Sequence, residues 1–276
     1  MTYKSLMVHL QLGQSNAGLL RIADSLAQSF QARLIGVAVC QPMRLLYNDG
    51  YMPAELIDDD RQNMERQIVA TEVEFRTVVQ QPAGDLDWRS TITLDPLSNY
   101  LAGEARNADL VITSVDHKAS SFDVSRNVNV GDLVMQVGRP LLVVPSTLGK
   151  LKLERIVVAW DDSREARRAT LDALPFLKRA AHVAVVQIAD DDYLPSARSN
   201  LRDVVAWLRR HGVEAEPIAS LALGDDVAQL SAIVGDHGAE LVVAGAYGHS
   251  RLREWVLGGV TRDLLQSANR CSLLSH

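Results

Sequence analysis

With 276 residues, 47% of them apolar and 22% charged, the chain has globular composition and room for one large domain or two of medium size. A net charge of −6 and a pI near 5.6 exclude nucleic acid as the main partner. No apolar run reaches the ~20 residues that span a bilayer, so no membrane partner is expected. The N-terminus shows neither the apolar core nor the cleavage site of a secretory signal, so the expected home is cytoplasmic.

The elements follow in chain order. Residues 6–10 form a short apolar run that reads as a strand, and residues 16–30 carry Leu19, Leu20, Ile22, Ala23 and Leu26 at helical spacing, with Ser15 or Asn16 as N-cap. Residues 34–39 are β-like. A polar, turn-rich stretch follows at 41–60, then a long helical pattern at 64–79, an alternating strand at 88–94 and a short helix at 97–106. Residues 108–114 read as a buried strand, 128–137 as a helix and 140–145 as the last strand of a half. The second half begins with a strand at 156–160 that runs into Asp161-Asp162-Ser163, where Asp162 and Glu165 have the spacing of a capping box. A strand at 183–188 and a loop at 190–199 come next. Leu201, Val204, Val205 and Leu208 then mark an amphipathic helix, with Gly212 placed to end it. A strand at 213–218, a helix through Val227, Leu230, Ile233 and Val234, and a buried strand at 241–244 complete the series. The basic residues Arg202, Arg209 and Arg210 share the amphipathic helix with Asp203 and read as a solvated face.

The two halves repeat each other. An offset of 131 aligns Ala108-Asp-Leu-Val-Ile-Thr-Ser114 with Ala239-Glu-Leu-Val-Val-Ala-Gly245, whereas Leu6 matches Ile156 at an offset of 150. The first half therefore holds about 19 more residues, for which 41–60 is the natural place. Domains at 1–146 and 151–276 are expected, joined by a hinge near 146–151. Alternating strands and helices imply an α/β, Rossmann-like fold, in which parallel strands are joined by right-handed crossovers. Such sheets take ligands at the carboxyl ends of their strands, where the strand order reverses.

Chemistry gathers at those strand ends in the second half. The strand at 241–244 runs into Gly245-Ala-Tyr-Gly248-His249-Ser250, and a further glycine pair, Gly258-Gly259, precedes Val260 and Thr261. Glycines after a buried strand let the backbone turn and let other groups come close. A helix starting near Gly258 would aim free N–H groups at the same place. Asp161, ending the first strand of this half, suits a pair of ribose hydroxyls, and His249, Arg251 and Arg253 could add positive charge.

These residues carry a resemblance. Gly245-x2-Gly248-x9-Gly258 and the strand end Ile156-Val-Val-Ala-Trp-Asp161 resemble the universal stress protein (UspA-like) family, whose motif is G-x2-G-x9-G followed by Ser or Thr. The likeness extends over both halves, as in a tandem two-domain member. It implies two tandem doubly wound domains, each with a five-stranded parallel sheet in the order 3-2-1-4-5. It also implies ATP or a related adenine nucleotide as ligand, with or without Mg2+, in the second half. By that resemblance Asp161 holds the ribose and the backbone near Ile188 lies beside the adenine. Gly245, Gly248, His249, Gly258, Gly259, Val260 and Thr261 surround the phosphates. Gly259 departs from the motif's hydroxyl residue, which loses about 0.5–1.5 kcal/mol of hydrogen bonding, though Thr261 could supply a hydroxyl. At the matching positions the first half has Ser114, His117, Asn127 and Val128, and its first strand ends in His9-Leu-Gln-Leu12, so no nucleotide is expected there in the family's manner.

No P-loop, nucleophile elbow or HExxH pattern occurs, and no metal site is expected. Cys40 and Cys271 are far apart and read as buried thiols. The expectation is a stress-response sensor or interaction module rather than an enzyme. The alternatives are a slow ATPase, an autophosphorylating protein with Ser250 or Thr261 as acceptor, and a nucleotide-free scaffold. Pairing of the two halves through their last strands is expected, with a homodimer left open.

Overall fold

A computed structural model describes residues 2–42, 54–80, 85–115, 127–247 and 270–276. The chain divides into two compact units, Tyr3–Arg139 and another built on Pro140–His276.

The N-terminal unit contains β1 (Ser5–Leu10), α1 (Ala17–Phe30), β2 (Arg33–Cys40), α2 (Ala54–Val78), β3 (Leu86–Ile92), α3 (Leu97–Glu104), β4 (Leu110–Val115) and α4 (Val130–Gln136). Its strands lie in the order β3-β2-β1-β4, all parallel, with Val8 opposite both Gly36 and Ile112. Every residue of β1 is buried. A parallel strand covered by helices on both faces has no wet side, which is why this run shows no polar alternation. α1 turns Leu19, Leu20, Ile22, Ala23, Leu26 and Phe30 inward. Asn16 precedes α1 but does not cap it; its amide instead bonds the backbone of Gln11, and Glu74 of α2 accepts from the Asn16 N–H. α2 begins at Ala54, so residues 54–60, expected as loop, are its first turns. Its charged run Glu55-Leu-Ile-Asp-Asp-Asp60 masks the helical signal because those positions are mostly exposed.

The second unit contains β5 (Leu141–Pro145), β6 (Arg155–Ala159), α5 (Arg164–Asp172), α6 (Leu174–Leu177), β7 (His182–Ala189), α7 (Leu194–Arg210), β8 (Glu216–Leu221), α8 (Asp226–Asp236), β9 (Leu241–Gly245) and β10 (Cys271–Ser275). Its strands run β5-β10-β9-β6-β7-β8. The last five give the 3-2-1-4-5 order, all parallel. β5 closes the first repeat in sequence but lies antiparallel to β10, with Val143 opposite Ser272. By contacts it therefore groups with the C-terminal unit.

Three local expectations change. The stretch 190–199 is not loop: a 3-10 turn at Asp191–Tyr193 leads into α7 at Leu194. Pro195 sits in the first turn, where a missing N–H costs nothing. The strand expected at 213–218 is displaced to Glu216–Leu221. The N-cap of α5 is Ser163, whose side chain accepts from the Ala166 N–H at 3.1 Å, rather than Asp162. Among the described residues no helix is long and apolar enough to cross a membrane.

Candidate functional site

β6 lies between β7 and β9, with Ala159 opposite Ala244 and, on the other side, Val186. From β6 the chain continues to β7 and β8 on one side, and from β9 it continues to β10 on the other. The gap beyond β6 and β9 is therefore the point where strand order reverses, and crevices form there. Strand register alone brings Trp160 and Asp161 to the same edge as Gly245, Ala246 and Tyr247.

Asp161 is exposed at this edge. Its Oδ1 accepts from the Ser163 N–H at 3.1 Å and from the Ser163 hydroxyl at 2.6 Å. That Asx turn places Asp162 at φ +56° and moves the helix cap one residue on. Asp162 turns instead toward α5 and α7, where Arg167 pairs with it at 2.9 Å and Asn200 donates at 3.5 Å. Of the two neighbouring carboxylates, Asp162 is thus held against α5 and α7, while Asp161 bonds back to Ser163 at the end of β6.

Ile188 is placed by strand alternation. The Val186 carbonyl accepts from the Trp160 N–H at 2.8 Å, and the Ala189 carbonyl accepts from the Ala222 N–H at 2.9 Å on the opposite side. Alternate residues of a strand direct their backbone groups to opposite neighbours. Ile188 thus directs its N–H and C=O toward the β6 side, beyond the point where β6 has ended.

Gly245 has a different reason to be glycine from the one its motif suggests. A Cβ there would lie 2.6 Å from the Ala166 nitrogen and 2.7 Å from the Glu165 carbonyl carbon. The missing side chain admits the first turn of α5, not a ligand, and so brings that helix N-terminus down onto the strand end. Glu165, in that turn, is buried. Burial alone raises its carboxyl, but contact with the Arg164 guanidinium, its own backbone N–H and the charge of His276 outweigh this and hold it low. Past Gly245, the Ala246 N–H donates to the Ser275 carbonyl at 2.8 Å and the chain turns at Tyr247, φ +62°. Gly248, His249, Gly258, Gly259, Val260 and Thr261, with Ser250, lie outside the described residues.

Two polar atoms at this edge escape sequence reading. Trp160 Nε1 and Gln187 Oε1 are buried without a hydrogen-bond partner among the described residues. Gln187 adjoins Ile188, and its signal in the sequence is a polar side chain inside the apolar run 183–188. A separate cleft of about 480 Å3 opens between α5 and α7, walled by Trp160, Leu171, Val204 and Trp207.

The matching strand ends of the N-terminal unit differ throughout. β1 ends without a carboxylate, and Ser114 is buried with its carbonyl accepting from Gln11 Nε2 at 3.2 Å. A cavity of about 230 Å3 lies there, lined by His9, Gln11, Cys40, Met64, Gln67 and Asn127 among others. Asp116 and His117 lie outside the described residues.

Residues 152–274 match the model of the universal stress protein family. A curated universal stress protein of Synechocystis sp. is 24% identical over 146 residues, which is 51% of this chain. The match spans about half, 48%, of that relative's length. A solved universal stress protein from Archaeoglobus fulgidus superposes with a TM-score of 0.69, covering 98% of this chain and 95% of its own at 13% identity. A functionally unknown protein from Pseudomonas aeruginosa PAO1 gives 0.60, covering 99% and 92%, also at 13% identity. At such identities the structural likeness carries the α/β fold. The family model carries more: the stretch it matches, residues 152–274, is the half with the glycine turn and Asp161, and that stretch is similar to the universal stress protein family.

Proposed function

We propose that the C-terminal half binds ATP or a related adenine nucleotide and acts as a stress-response sensor or interaction module. The observation that carries this reading is the switch-point crevice, where an exposed Asp161, the outward backbone of Ile188 and the turn after Gly245 share one sheet edge. In this proposal Asp161 accepts from the ribose hydroxyls through its carboxylate oxygens. Ile188 offers one donor and one acceptor to the edge of the base, and the unpartnered Oε1 of Gln187 lies next to it in the strand. Gly248, His249, Gly258, Gly259, Val260 and Thr261 surround the phosphates in this proposal, as the family's glycine motif implies. Gly245 acts at one remove, by letting α5 approach.

Calorimetric titration of the full chain with ATP tests the reading. One site per chain is expected. Asp161→Ala should weaken binding by about 10–100-fold, since a hydrogen bond to a charged group is worth about 1.5–3 kcal/mol. Gly248→Val should abolish it. Absence of binding by the wild type would leave a nucleotide-free scaffold, and unchanged affinity in Gly248→Val would move the site elsewhere.

A further inference from the structure

The cleft between α5 and α7 is lined by side chains from one unbroken described stretch, residues 160–207. Asn200, Asp203, Val204 and Trp207 stand at i, i+3, i+4 and i+7, so they share one face of α7. Arg167, Thr170 and Leu171 stand at i, i+3 and i+4 on α5 and line the other wall. Trp160, just past β6, adds a second indole and is 8% exposed. Its indole N–H is buried with no acceptor among the described residues. Trp207 is half-buried and braced by His211 one turn on, with ring centroids 4.4 Å apart. A volume of about 480 Å3 falls within the ~300–1,000 Å3 of small-molecule sites.

The charges decide what fits. Arg167 is committed to Asp162, donating to its carbonyl at 2.7 Å and to its Oδ1 at 2.9 Å, while Asn200 donates to the other carboxylate oxygen at 3.5 Å. That cation and that carboxylate cancel. Asp203 is exposed and has no hydrogen bond or ion pair among the described residues, so the lining keeps one negative charge. An anion entering would meet Asp203 and no free cation in the lining. A cation held by Asp203 also lies near Trp207, one turn on, and an indole face attracts ammonium. The other walls favour an aromatic body. Trp160, Leu171 and Val204 are apolar, Leu171 still 43% exposed, and the face of an aromatic ring accepts an N–H such as that of Trp160.

We propose that this cleft binds a small aromatic primary amine, its ammonium between Asp203 and Trp207 and its ring between the two helices, and that it rejects the matching carboxylate. Probes that share a ring and differ in charge test it, namely phenethylamine, phenethyl alcohol and hydrocinnamate. The isotope-labelled full chain is titrated with each at neutral pH. The titration contains no nucleotide, so failure of the ATP reading would leave its result intact. The amine is expected to move the indole N–H signals of Trp160 and Trp207 and the backbone amides of Thr170 and Val204, and to saturate. It should bind about five- to tenfold tighter than the alcohol, as a hydrogen bond to a partly solvated charge allows, and the acid should not bind. Asp203→Asn, at an exposed position, should bring the amine down to the alcohol's affinity with the unfolding midpoint unchanged. Leu171→Trp, which fills the cleft from a wall that is still partly exposed, should abolish binding of both. The proposal is overturned if the amine leaves the two indole signals unmoved, if amine and alcohol bind alike to the wild type, if the acid binds as well as the amine, or if either variant binds the amine as the wild type does.

Discussion

His9 and Gly245 show how one side chain, or its absence, takes its meaning from what packs around it. His9 stays neutral in the folded protein down to about pH 4, whereas the unfolded chain protonates it near 6.5. The unfolded state therefore binds the extra proton between those values, and stability falls as pH drops through that window. The full effect is roughly 3 kcal/mol, reached near pH 4. Denaturant midpoints measured from pH 7 to pH 4 should fall accordingly, and His9→Gln should flatten the slope between pH 6.5 and 4. Gly245→Ala should destabilise by about 1–3 kcal/mol through overpacking against α5. That loss should be the same with and without ATP, which a thermal melt in both conditions would read; a loss confined to the ATP-bound protein would show that Gly245 faces the ligand. Both residues were visible in the sequence as chemistry at a strand end. Their roles were not, because burial depends on neighbours that are far away in the chain.

At the scale of elements, helices and buried strands were legible where apolar spacing is undisturbed, as in α1, β1 and β9. They were not legible where polar residues start a helix. The acidic runs before residue 60 and after residue 190 look like loops because their side chains are solvated, yet both open helices. The cap of α5 slipped by one position for a local reason: Asp161 binds Ser163 in an Asx turn, so the next hydroxyl becomes the cap. Ser163→Ala should therefore lower stability by about 1 kcal/mol, and Asp162→Ala by less, since Asp162 holds only exposed Arg167 and Asn200 contacts. Equal losses in chemical denaturation would contradict this assignment. The Asp161 turn is part of the same device, so Ser163→Ala should also change nucleotide affinity slightly.

At the scale of the whole molecule, two copies of one scaffold carry unlike strand ends. A titration with ATP is expected to saturate at one equivalent, because only the second copy has a carboxylate ending its first strand and the glycine motif after its fourth. A stoichiometry of two would show that Gln11, Ser114 and Asn127 suffice. The repeat, the α/β class and the location of the chemistry follow from the sequence by itself, because the alternation of buried strands and amphipathic helices is written in local spacing. Only the tertiary structure decided what each polar residue does. It grouped β5 with β10 across the boundary of the repeat, assigned the missing side chain of Gly245 to α5, turned Ile188 toward the crevice and buried His9 beside Thr113. Each of those outcomes depends on which strand lies beside which, and hydrogen-bond register between segments a hundred residues apart leaves no trace in local spacing.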